Sequence, residues 1–274
     1  MGKQGYSKGS VLMKSNENEE NQTSVGITLT SHYEFNSSED EAAWDFYLKY
    51  YREFLIKKEK KEKIEFIFSH GSMEIQVNGD VTFNIDPTFF NKCTKLYESI
   101  LKEANVSEGL KDSLGVMRYS PMNISILPQA GGLNNTKQSL GNDRFDTFAY
   151  FMNQYYEGIK VPIINAGAPS MYIKNRLELQ NFLDSYNTAG EFFADIYGID
   201  ETFVRELIES GKSLITNKKE YCDYIKLACK YWCYRLNHEK MINLLDNQKI
   251  IQYKDHLNTI LKEIEILENS INKK

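Results

Sequence analysis

The sequence predicts an α+β fold in which a small antiparallel sheet with packed helices is followed by an all-helical C-terminal part. Three observations predict it. Short runs of alternating apolar and polar residues lie between residues 64 and 85. Asn78-Gly79-Asp80 separates two of these runs, and Asn and Gly accept the positive φ angles of a tight hairpin turn. From Lys174 onward, apolar residues recur at helical spacing.

The first half of the chain supplies the predicted sheet. Strands are expected over 25–35, 64–68, 73–77 and 81–85, with a helix over 38–56 after the first of them. Asp86-Pro87 predicts the start of a helix that reaches about Ala104, because Asp caps helices and proline fits the first helical turn. The apolar run 122–127 is expected to rejoin the sheet.

The second half is predicted as helices over 143–156, 175–187, 189–197, 201–214, 218–238 and 249–271. Asp200 and Asn217 stand where two of these helices need N-caps. The predicted organisation is therefore a disordered tail over 1–24, an α+β domain over 25–173, and a helical part over 174–274 that packs on that domain.

Composition narrows the class of protein. The chain has 274 residues, 33 basic and 38 acidic side chains, and a net charge of −5. The sequence shows neither an apolar run of about 20 residues nor a signal peptide, so a cytoplasmic location without membrane contact is expected. The slight acidity argues against generic nucleic-acid binding, which normally uses a basic face.

The loop before the helix at 143–156 is the strongest candidate for a ligand site. It is rich in Gly and Asn and leads from a predicted strand into a helix N-terminus, which offers free N–H groups to an anion. Only six residues of the chain are Arg, and one of them opens this helix. The candidate ligand-binding residues are Asn134, Asn135, Lys137, Asn142, Asp143, Arg144 and Asp146. The alternative is that Asn142 caps the helix, the two Asp residues complement the helix dipole, and Arg144 forms a local salt bridge.

No catalytic constellation can be assigned from the sequence. His70-Gly71-Ser72 lacks the Asp-x-Asp pair that a nucleotidyltransferase requires, and the four His residues are scattered. Cys222, Cys229 and Cys233 share one helical face but lie too far apart along it to converge on zinc, so they are expected to pack in the core. No metal site is predicted, and catalytic residues and cofactors are unknown.

The segment Asp143-Arg144-Phe145-Asp146 through Tyr155-Tyr156, preceded by the Asn-Asn loop, resembles a family of uncharacterised bacterial proteins known only as a domain of unknown function. The resemblance extends over about residues 25–200. It implies an intracellular bacterial protein of α+β type, and it supplies neither an activity nor a catalytic residue.

Two functions remain open. The first is binding of, or action on, a small anionic or nucleotide ligand at the 131–146 loop. The second is a non-enzymatic interaction protein, an accessory in bacterial stress or phage defence. It would use a C-terminal helix whose apolar residues are spaced alternately by three and four from Ile250 to Ile271. This seam either packs within the chain, which is favoured, or serves a protein partner or self-association. Whether the chain is an enzyme is left open.

Overall fold

The computed structural model describes side chains at residues 88–89, 107–118, 120–123, 125–126, 144–159, 181, 183–213, 215–239 and 241–271. It adds the backbone of several strands and of residue 240. The predicted strand at 25–35 and the predicted helix at 38–56 lie outside these residues.

The described body is built mainly from helices. They are α1 (Glu108–Arg118), α2 (Phe145–Tyr156), α3 (Ala189–Tyr197), α4 (Glu201–Gly211), α5 (Lys218–Asn237), α6 (Glu239–Leu244) and α7 (Asn247–Ile271). The predicted helices at 143–156, 189–197, 201–214, 218–238 and 249–271 are thus confirmed, with ends that differ by a few residues.

Local capping explains where several helices begin and end. The Asp200 carboxylate accepts a hydrogen bond of 2.8 Å from the Phe203 N–H, and Asn217 Oδ1 accepts one of 3.0 Å from the Glu220 N–H. Both predicted N-caps are therefore confirmed. Helix α3 ends at Gly198, whose φ of +66° is the left-handed conformation that glycine adopts without steric cost.

The strands are described mainly by their backbone. They are β1 (Ser10–Leu12), β2 (Ile64–Ser69), β3 (Ser72–Val77), β4 (Asp80–Pro87), β5 (Ile124–Pro128), β6 (Pro162–Ile163) and β7 (Met171–Tyr172). The first five pair antiparallel in chain order, and β6 pairs with β7. Strand β1 lies inside the predicted tail, and the rest of residues 1–24 lie outside the description.

One predicted helix start is wrong. Asp86 and Pro87 are the last two residues of β4, where they pair with Ser125 and Ile124 of β5. Proline is tolerated at a strand end, so Asp86-Pro87 can end a paired strand although the same dipeptide is also typical of a helix start. The remainder of that predicted helix lies outside the described residues.

The predicted fold class is also wrong. Where side chains are described, the chain is mainly helical and contains a single short strand, β5, so no sheet organises its core. The α+β prediction assumed that the strands indicated early in the chain form the centre of the fold. The described core instead forms where amphipathic helices bury their apolar faces against one another.

The centre of the core is aromatic. The Phe145 ring lies 5.0 Å from Tyr197, 5.3 Å from Phe89 and Tyr231, and 5.6 Å from Phe193, between ring centroids. These are favourable tilted and edge-to-face distances. Because the five rings come from three helices and the residues after β4, this cluster joins both predicted parts of the chain in one core.

The C-terminal helix closes this core. Its seam residues Leu257, Ile260, Ile264 and Leu267 are buried, and α7 packs against α1 and α5. The internal packing that the sequence favours is confirmed. The seam is therefore occupied within the chain.

The backbones of α2 and α4 lie in direct contact, which the sequence pattern does not predict. A Cβ atom added at Gly211 would overlap the main-chain carbonyl of Asp146 and would lie 2.9 Å from the Thr147 nitrogen. Only a residue without a side chain fits at this contact. The end of α4 can therefore lie directly on the start of α2.

We expect Gly211→Ala to destabilise the protein by about 3 kcal/mol or more, because the added methyl group meets rigid backbone. Gly115→Ala is the matched control, since Gly115 is exposed on α1 with open space around its Cα. We expect that change to stabilise by about 0.5–1 kcal/mol through helix propensity. Urea unfolding of both variants measures the difference, and equal effects would contradict the close contact.

Candidate functional site

The structure describes two of the seven candidate ligand-binding residues. Arg144 and Asp146 are both buried at the start of α2. The other candidates, Asn134, Asn135, Lys137, Asn142 and Asp143, lie outside the described residues. What can be built from geometry is therefore the environment of Arg144 and Asp146.

Arg144 itself occupies the N-cap position of α2. Its backbone is extended, with φ −107° and ψ 133°, and its side chain makes no capping hydrogen bond. The interpretation that Asn142 caps this helix is therefore wrong, because the N-cap residue is Arg144 and the first helical residue is Phe145. Asp146 lies in the first turn, where a negative charge favours the positive end of the helix dipole.

Arg144 and Asp146 form a two-pronged ion pair. Arg144 Nε donates to Asp146 Oδ1 at 2.9 Å, and Arg144 Nη2 donates to Asp146 Oδ2. Ser210 Oγ also donates to Oδ2, at 2.6 Å, and the Thr147 N–H donates to Oδ1, at 2.9 Å. The carboxylate is thus held by four donors, three of them from side chains.

The other donors of Arg144 reach the end of α4. Nη2 donates to the carbonyl oxygen of Ser210 at 2.8 Å, and Nη1 donates to that of Ser213. The last carbonyls of a helix lack partners within the helix and carry its negative dipole end, so a cation is favoured there. The guanidinium carbon also lies 5.6 Å from the ring centre of Tyr224.

This arrangement makes the pair a clamp between two helices, α2 and α4. The planar fork that would grip a phosphate or carboxylate ligand is engaged by Asp146. The local salt bridge that the sequence offered as an alternative is present. Arg144 also binds the carbonyl oxygens of Ser210 and Ser213, which lie 66 and 69 residues further along the chain. Ligand binding at the 131–146 loop stays a prediction.

The cysteines are packed as predicted. Cys222 and Cys229 are buried and Cys233 is half-buried, all on α5 as free thiols. Burial raises the pKa of Cys222 to about 11 and also raises the pKa of Cys229 and Cys233. These thiols are therefore protonated at neutral pH and are poor nucleophiles. Among the described residues, no three His, Cys, Asp or Glu side chains lie close enough together to bind a metal ion.

One buried polar centre was not anticipated. Asn123 Oδ1 accepts hydrogen bonds from Trp232 Nε1 and from the Phe89 N–H, both 2.9 Å long. Its Nδ2 donates to the carbonyl oxygens of Phe89 at 2.9 Å and of Arg118 at 2.8 Å. A single amide therefore joins the residues after β4, the end of α1 and the middle of α5. No local pattern marks Asn123, because Phe89 and Trp232 lie 34 and 109 residues away from it along the chain.

A second polar contact joins α4 to α5 at the surface. The Tyr234 hydroxyl donates to Asp200, and the Tyr234 ring stacks on Phe203 with centroids 5.2 Å apart. The bond from Tyr234, followed by the one from the Phe203 N–H, lowers the pKa of Asp200. The same bond raises the pKa of Tyr234 to about 12.

In comparisons with known proteins, no family model, curated protein or solved structure matches the chain. The resemblance to a domain of unknown function therefore stays a prediction. Among the described residues, no helix is long and apolar enough to cross a membrane.

We expect Arg144→Ala and Asp146→Ala each to destabilise the protein by about 3–5 kcal/mol, because each leaves the other charge buried without its partner. The matched control is Arg205→Ala, which breaks an ion pair with Glu201 in which both side chains are 71% exposed. We expect it to cost at most about 1 kcal/mol. Chemical denaturation measures all three, and a control-sized loss at Arg144 would show that the clamp does not stabilise the fold.

The Asp200–Tyr234 contact predicts a pH dependence of stability. Since the pKa of Asp200 is lowered on folding, its contribution is complete above the unfolded value, about 3.9, and is lost as pH falls through the folded value. Asp200→Asn keeps a capping oxygen but cannot ionise. Its stability deficit, below about 1 kcal/mol because solvent screens the group, should shrink as pH falls from 5 toward 3. Tyr234→Phe should reduce this pH dependence. If wild type and Asp200→Asn lose the same free energy of unfolding as pH falls from 5 toward 3, the prediction is contradicted.

Proposed function

We propose that the chain is a helical protein-interaction module that contacts its partner through the exposed side of α6 and α7. One observation carries the proposal. Of the exposed large hydrophobic side chains among the described residues, all but Ile159 lie on these two helices. They are Ile242, Ile251, Leu261 and Ile266, with exposed fractions of 46%, 60%, 39% and 54%.

The distribution of apolar residues around α7 supports this proposal. A helix that only closes its own core needs one apolar stripe, and α7 already has one in its buried seam. Ile251 and Ile266 lie on the opposite side and contribute little to that core. Exposed apolar side chains gathered on one element are typical of protein-interaction surfaces.

The proposal also agrees with the structural role of the buried polar side chains. The polar atoms of Arg144, Asp146 and Asn123 form hydrogen bonds that join helices. The cysteines on α5 are packed in the core. These contacts support a stable scaffold that presents α6 and α7 in a constant position.

Site-specific photo-crosslinking tests the proposal. A benzoylphenylalanine placed at Ile251 should yield covalent protein adducts in living cells, because that position faces the proposed interface. The control carries the same photoreactive residue at Thr202, which is exposed on α4. Both variants should unfold at the same temperature as wild type. Adducts of equal yield at the two positions, or none at Ile251, would contradict the proposal.

A further inference from the structure

The exposed face of α7 carries a symmetrical series of side chains. In order along the helix they are Ile251, Asp255, Asn258, Lys262 and Ile266, and all five are exposed. Their spacing of four, three, four and four residues keeps them on one side, opposite the buried seam. The series has an apolar residue at each end, an acid and a base inside, and an amide near the middle.

The charges on this face have no partner within their own chain among the described residues. Asp255 and Lys262 lie seven residues apart, about 10 Å along the helix axis, which is too far for an ion pair between them. The described ion pairs of α7 use Glu268, which binds Lys226 of α5. Asp255 and Lys262 are therefore available to another molecule.

We propose that this face binds the same face of a second copy of the chain, with the two α7 helices antiparallel. The inference rests on the proposed interaction function and names its partner. In this orientation Ile251 of each copy meets Ile266 of the other, and Asp255 meets Lys262. A two-fold axis near residues 258 and 259 generates each contact twice, as in the isologous dimers that are the commonest protein oligomers.

The charge order selects this orientation. Parallel helices in register would bring Asp255 against Asp255 and Lys262 against Lys262, and both pairs repel. Antiparallel helices turn the same four charges into two attractive pairs. Asn258 then lies opposite its own copy, where each amide can donate to and accept from the other. A polar residue at such a position specifies register.

The contact is small, since a single helix face about 22 Å long carries it. Small interfaces with two apolar pairs and two exposed ion pairs lie at the weak end of specific association. We therefore expect a dimer with a dissociation constant in the micromolar range that weakens as salt screens the charges.

Charge reversal followed by sedimentation velocity tests the proposal with the full chain. Asp255→Lys and Lys262→Asp should each weaken self-association about tenfold or more, because each change makes both ion pairs repulsive. An equimolar mixture of the two variants should recover dimers, since all charge pairs between unlike chains become attractive. The double variant should also dimerise. Glu201→Lys on α4 is the control, and it should dimerise like wild type.

The outcomes separate this inference from the proposed function. A wild-type chain that stays monomeric at millimolar concentration, or two reversed variants that do not recover when mixed, overturns the antiparallel dimer. If crosslinking at Ile251 then captures a different protein, the interaction function stands and only the identity of the partner is wrong. If the chain is monomeric and crosslinking at Ile251 gives no adduct, both proposals fail.

Discussion

The described fold depends on a buried charge pair that holds two helices in contact. Removing Arg144 and Asp146 from water costs several kcal/mol for each ion, which Coulomb attraction alone does not reliably offset. Here Ser210, the Thr147 N–H and two carbonyl groups at the end of α4 supply the additional bonds that such a pair requires. The glycine at position 211 lets the two backbones come close enough for these bonds to form.

The rest of the described core is arranged around that contact. Phe145 follows Arg144 directly, so fixing the start of α2 also fixes the ring at the centre of the aromatic cluster. The Asn123 amide, which binds the backbone of Phe89 in this cluster, connects α1 to α5 with all of its hydrogen-bonding capacity in use. Helix α7 then covers α1 and α5 with its seam, and its opposite face carries the charges proposed to pair between copies.

The success of the sequence predictions follows the range of the interactions involved. The N-caps Asp200 and Asn217 and the buried seam of α7 were predictable, because each depends on residues within a few positions of one another. The fold class was wrong because strand patterns reveal pairing but not which elements form the core. Of the candidate site, Arg144 was recognised as unusual, but its partners Ser210 and Ser213 lie too far along the chain for any local pattern to indicate them.

The sequence alone thus predicted α2, α3, α4, α5 and α7 and the buried seam of α7, since these depend on hydrogen bonds and spacing within single segments, whereas α1 and α6 were not predicted. Tertiary structure alone decided what Arg144 binds. A guanidinium can bind either an anionic ligand or a carboxylate of its own chain. Which of the two Arg144 binds depends on the groups that the packing of α2 on α4 brings within 3 Å. The same reason applies to α7, because only the packed structure shows that its apolar seam is covered within the chain while Ile251 and Ile266 stay exposed.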